Sequence, residues 1–226
     1  MHISDGILNI EWCALWFIVA IPFIVLGAKK VIELVREHPD QKMTVALAGA
    51  FIFLLSSLKL PSVNGSSSHP TGTGFSAVIY GVSVTAFLAT IVLIFQAILL
   101  AHGGISTLGA NVVSMGIAGP LVGFLLWRVM IKGGMSFPIS LAVAAFFADI
   151  VTYVVTSFEM ALNAGFEYLG NYLSVFAITQ IPLGIMEAIL FFMFGTYLVS
   201  NRPDIFELAA GKDEGDDKDE SEGVTA

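Results

Sequence analysis

TGTGFSAVIYG, residues 71–81, decides the fold. It is apolar enough to sit inside a protein, yet it is far too short to cross a bilayer core of about 30 Å, which takes roughly 20 residues of helix. Either it extends the helix that follows, or it makes a short crossing of its own. The two readings turn every later segment to opposite sides of a membrane.

That a membrane is involved follows from the rest of the chain. Of its 226 residues 56% are hydrophobic and only 12% charged, with a mean hydropathy of +0.86, which is too apolar for a soluble domain. The apolar runs lack the roughly 10-residue alternation of outer-membrane barrels, so the spanning elements are helices. Long candidates run from Trp12 to Val35, Met43 to Leu60, Val82 to Ala101, Leu108 to Ile131, Phe137 to Leu162 and Tyr172 to Val199. The fold class is therefore all-α, a polytopic membrane helical bundle. A basic n-region is missing ahead of the first apolar run, so Met1 is expected to be the mature N-terminus. The single cysteine, Cys13, can form no internal disulfide.

Charge placement chooses between the two readings of residues 71–81. Lys29, Lys30, Arg36 and Lys42 crowd the connection after the first run, which the positive-inside rule puts in the cytoplasm. If residues 71–81 cross separately, Arg128, Lys132, Arg202, Lys212 and Lys218 fall on the same side; if not, all face out. Seven segments are expected, six long and one short, with the N-terminus outside, the C-terminus inside, and the short third segment sheltered by its neighbours. Residues 1–201 form the membrane domain. Residues 202–226 are an acidic cytoplasmic tail too poor in apolar surface to order itself.

Two features carry chemistry. The chain begins MHISDGIL, and the α-amine of Met1, the amide of His2 and the His2 imidazole can close a five- and a six-membered ring around a metal, a planar claw lacking one ligand. The second feature is KLPSVNGSSSHPTGTGF, residues 59–75, a loop by its Pro and Gly content. It faces outside in the seven-segment reading, and its one imidazole, His69, supplies a fourth nitrogen. A planar four-nitrogen set suits Cu(II) or Ni(II), and takes Co(II), better than Zn, Mg or Ca. Binding needs an unprotonated amine and loss of the amide proton, so capture weakens as pH falls. Hydroxyls near His69, Ser68 and Thr71 among them, are candidates to hold its other ring nitrogen. Asp5 is placed to balance the ion's charge or to brace His2. The bland alternatives, a chance histidine and a solvated loop, stay open at this point.

MHISDGIL, SSLKLPSVNGSSSHPTGTG, IFQAILLAHGGISTLGANVVSMGIAGP and TQIPLGIMEA together resemble the CbiM/NikM family, the substrate-capture components of energy-coupling-factor importers for cobalt and nickel. The resemblance runs to about Val199, and the SHPTG loop looks more like the cobalt branch. It implies an N-terminal helix added to a six-helix fold, an inserted N-terminus, and Met1, His2 and His69 as metal ligands. Co(II) is then the transported substrate, with Ni(II) as the alternative. The implied partners are a transmembrane coupling subunit, separate ATPase subunits and a small accessory membrane subunit, all in the cell membrane. The chain departs from the family's pattern at Ser4, at Ile7 and in the acidic tail, and nowhere in the ligand set.

The remaining polar residues divide. His102 and Asn111, in HGGISTLGAN, lie close in depth to the claw and are candidates to support it, although a helix-end histidine bonded to a carbonyl is the simpler reading. Gln96, Asp149, Glu159, Gln180 and Glu187 fall in apolar runs, where interhelical hydrogen bonds are expected. No GxxxxGK[ST] occurs, so no nucleotide is expected on this chain, which is read as a transport subunit and not an enzyme. No nucleic-acid partner is expected. Ala46, Gly49 and Ala50 make a small-residue face suited either to subunit docking or to internal packing. A stand-alone channel or carrier working through Asp149, Glu159 and Glu187 is the competing function.

Overall fold

A computed structural model describes residues 2–62 and 66–202. Met1 and the acidic stretch 203–226 lie outside the described residues. Seven helices follow one another: α1 Ile10–Glu37, α2 Gln41–Ser57, α3 Thr73–Tyr80, α4 Val82–Leu100, α5 Leu108–Lys132, α6 Phe137–Ala164 and α7 Phe166–Asn201, the last opening with a short 3-10 turn. All but α2 and α3 are long and apolar enough to cross a membrane. The chain is a multi-pass helical bundle, and the strands among its described residues are two short ones, β1 Leu60–Pro61 and β2 Ser67–Ser68, paired antiparallel.

Residues 71–81 turn out to be the hub. α3 is a separate helix, cut from α4 by Gly81 in a left-handed backbone conformation (φ +80°), and every residue from Thr73 to Ile79 is buried. It packs among α4, α5 and α6. At Gly74 the backbones nearly touch: a Cβ there would lie 2.7 Å from Ala145 Cα. Farther along, Phe75 stacks on Phe191 of α7, centroids 5.5 Å apart. Eight residues of helix rise only about 12 Å, and the buried, non-helical residues 66–72 lead into it. Irregular backbone is tolerated at such depth where protein surrounds it.

With α3 counted, the helices alternate so that Lys29, Lys30, Arg36, Lys42, Arg128, Lys132 and Arg202 gather at one end. Residues 2–9, the loop residues 58–62 and 66–72, and the turn 101–107 gather at the other. Between them α5 is not uniform. Its first turn Leu108–Asn111 and its second half Gly119–Lys132 are α-helical, and Val112–Ala118 between them is π-helical. The wider π turn re-phases the helix: Asn111 faces the N-terminal segment while Gly123 faces α6, where a Cβ would stand 2.6 Å from the Ala144 carbonyl.

Candidate metal centre

Three stretches without regular helix meet at the site, and hydrogen bonds from distant parts of the chain fix each one. His2 adds to the small sheet through an antiparallel bridge with Ser67; its N–H donates to the Ser67 carbonyl at 3.4 Å, and its carbonyl accepts from the Ser67 N–H at 3.3 Å. Asn111 holds Ile3 at both ends: Oδ1 accepts from the Ile3 N–H at 2.7 Å and Nδ2 donates to the Ile3 carbonyl at 3.0 Å. The Thr107 hydroxyl donates to that same carbonyl at 2.6 Å. Farther out, Asn163 of α6 accepts from the Asn9 N–H and donates to the Ile7 carbonyl. Apolar side chains complete the seal, with Ile3 and Leu8 buried among Ala110, Met160 and Phe176.

This stitching brings three imidazoles together. His2 and His69 are wholly buried and His102 is nearly so. The rings of His2 and His69 lie 4.3 Å apart, those of His2 and His102 4.2 Å. One ring nitrogen from each lies within 4.8 Å of the others, the one such group of histidine, cysteine or acidic side chains among the described residues. His69 Nδ1 donates to the Pro70 carbonyl at 2.8 Å. Its Nε2 therefore carries a lone pair, and that atom is buried without a partner. His2 Nδ1 lies 2.9 Å from His102 Nε2, which also contacts the Ser67 hydroxyl at 2.7 Å.

Electrostatics keep these nitrogens available. Burial, and next the neighbouring His69, hold the His2 imidazole well below its ordinary 6.5. Burial does the same to His69, and burial with the Lys59 charge pushes His102 down to about 3. All three rings are neutral at pH 7, the form that binds metal. Lys59 itself is tied to the carbonyls of Leu100 and Ala101 at the end of α4.

Several expectations change. The hydroxyls around His69 do not hold its ring: Ser68 bonds Thr179 at 2.8 Å and Thr71 bonds Glu187, while the adjacent Pro70 carbonyl, already within reach in the turn, takes Nδ1. Asp5 does not reach His2. It accepts from the backbone and hydroxyl of Ser106 at 2.8 and 2.6 Å and from the Ile105 N–H, bracing the turn that carries His102, and the Ser106 hydroxyl holds its carboxyl below the usual range. His102 is not a helix-end histidine on a carbonyl but a direct neighbour of His2. Ala46, Gly49 and Ala50 face outward, lining an apolar cleft of about 450 Å³ with Leu88, Ile91 and Phe95 of α4. Interhelical bonding holds for Gln96, which donates to Ser56 at 2.7 Å, and for Asp149 with Gln180 at 2.6 Å; both carboxylate oxygens of Glu159 lack a partner. Ser67, Thr107, Gln180 and Glu187 are contacts of the site that the sequence did not single out as such. The terminal amine, part of Met1, is outside the described residues.

Residues 2–205 match the profile of the family described as CbiM, cobalt uptake substrate-specific transmembrane region. A cobalt transport protein CbiM of Anoxybacillus flavithermus is 48% identical over 196 residues, 84% of this chain and 78% of that one. The cobalt transport protein CbiM of Streptococcus sanguinis is 47% identical, again over 84% of this chain and 80% of its own length. A solved crystal structure of a transition metal transporter superposes with a TM-score of 0.78 at 25% identity, covering 92% of this chain and 98% of that one.

Proposed function

This chain belongs to the CbiM family of cobalt-uptake substrate-specific transmembrane regions, and on that premise we propose that it captures Co(II) from the outside at the point where His2 meets His69. The observation that carries the reading is the buried, unpartnered Nε2 of His69 beside the His2 ring. Four nitrogens complete the claw: the Met1 amine, the His2 amide, His2 Nδ1 and His69 Nε2. The His2 N–H makes only a long 3.4 Å bond to Ser67, so releasing that proton sacrifices little. The arriving ion displaces His102 from His2 Nδ1, and the Ser67 hydroxyl keeps His102 in place once it lets go.

Ni(II) fits the same four nitrogens, and the order of metal affinities favours it over Co(II); the choice of cobalt rests on the family. Energy comes from elsewhere, because the sequence carries no phosphate-binding loop. ATPase subunits and a transmembrane coupling subunit, with a small accessory membrane subunit, are the expected partners. The cleft at Ala46, Gly49 and Ala50 is where a coupling helix with small side chains would lie closest.

The test is equilibrium binding of Co(II) and Ni(II) to the purified protein with its native terminus and with one alanine added before Met1. The extension turns the amine into an amide and leaves every side chain in place. Binding is expected to collapse in the extended protein and in His69→Ala; an extended protein that binds as tightly as the native one sinks the claw.

A further inference from the structure

Glu187 lies in the middle of α7, buried, and both of its oxygens are spent on the loop that carries His69. It accepts the Thr71 N–H at 2.6 Å, the Gly72 N–H at 2.7 Å and the Thr71 hydroxyl at 3.2 Å. Gly72, with φ +69°, turns the chain there from the loop into α3. Two helical turns earlier on α7, Gln180 donates to the His69 carbonyl at 3.0 Å. The loop is thus gripped on both sides of Pro70.

The peptide bond between Pro70 and Thr71 explains why this grip matters. Its N–H goes to Glu187 and its carbonyl accepts His69 Nδ1. A peptide unit is planar and rigid, so its two ends cannot turn independently. We infer that Glu187 is the positioning residue of the metal site: by holding the Thr71 N–H it orients the Pro70 carbonyl, which orients the His69 ring and aims Nε2. This is the arrangement in which a carboxylate steadies a metal-binding imidazole, with one peptide group inserted between them. It ties the geometry of the centre to α7, so a displacement of α7 changes how the ion is held.

The inference rests on His69 being a ligand, and the experiment separates the two. Co(II) affinity and the Co(II) d–d absorption spectrum, which reports ligand geometry, are measured on the full chain in detergent for wild type, Glu187→Gln, His69→Ala and Leu141→Ala. Glutamine offers one acceptor oxygen where two N–H groups need partners, so Glu187→Gln is expected to weaken binding about 10- to 100-fold and to alter the spectrum of the bound ion. Leu141, fully buried at the opposite end of the bundle, is the control for lost stability: its variant is expected to melt earlier with affinity and spectrum unchanged. If Glu187→Gln does not fold, Glu187→Asp, which withdraws the carboxylate by about 1.5 Å, is read in its place and is expected to show the same spectral change. Wild-type affinity and spectrum in the Glu187 variant, alongside lost binding in His69→Ala, overturn the inference alone. So does an equal effect in Leu141→Ala. Retained binding in His69→Ala overturns the capture reading and this inference with it.

Discussion

At the scale of single residues, the centre is a set of neutral nitrogens kept neutral by burial. Protonation of His2, His69 and His102 is disfavoured in the fold, whereas an unfolded chain takes up those protons near the ordinary 6.5. The fold therefore binds fewer protons than the unfolded chain below that value, and the empty protein loses stability as pH drops through it. Metal binding follows a different rule. With the imidazoles already neutral, the protons displaced by Co(II) near pH 6.5 are the amide proton of His2 and the ammonium proton of Met1, so about two are released per ion and affinity falls about 100-fold per pH unit. Calorimetry in buffers of different ionisation heat counts them; three or four released protons would show that charged imidazoles take part. His102, which contacts His2 without belonging to the claw, should behave unlike the ligands. His102→Ala, which removes the hydrogen bond the ion must displace from His2 Nδ1, is expected not to weaken Co(II) binding and to leave the d–d spectrum of the bound ion as it was; lost binding with a changed spectrum would make His102 a ligand. That His2 and His69 belong together was legible because each stands in a local pattern with its own chemistry. The roles of Thr107, Gln180 and Glu187 at the centre were not, because Thr107 sits in an ordinary turn, Gln180 and Glu187 in an apolar helix, and all three are separated from their partners by more than 100 positions.

At the scale of elements, α3 carries the architecture. Charge parity in the sequence required its existence, since hydropathy alone left residues 71–81 undecided. The irregular backbone before it and the π-helical turn in α5 left no such trace. Both depend on backbone hydrogen bonds whose partners are chosen by packing. Close contact with α6 at Gly74 makes α3 intolerant of volume. Gly74→Ala is expected to cost about 1–3 kcal/mol, seen as a lower melting temperature in detergent, and to weaken Co(II) binding as well, because the loop of His69 runs directly into this helix. Unchanged melting would mean that the two helices can part without consequence.

At the scale of the whole molecule, five of the six long candidates read from length and apolarity are helices long enough to cross a membrane, and the sixth, expected over Met43–Leu60, is the 17-residue α2, which ends at Ser57 before the strand at Leu60. Seven of the eight described lysines and arginines stand at the end opposite the histidine centre, Lys59 being the exception, so the positive-inside rule assigns the histidine end to the outside. In a Cys13→Ser background, an impermeant maleimide added to intact cells is expected to label Lys59→Cys, beside the centre, and to leave Lys132→Cys unlabelled. The reverse pattern would turn the bundle over.

The manner in which residues 2–9 are held has a consequence in time. Ile3 is secured by Asn111 and Thr107, Asn9 by Asn163, so the segment synthesised first finds its last fastenings only after more than two-thirds of the chain has been made. Contacts that close such long loops form late. The nascent terminus lacks its Asn163 fastening until α6 is inserted, and the loop of His69 lacks its Gln180 and Glu187 contacts until α7 follows, so the nitrogen centre is expected to be completed only when the last helix is in place.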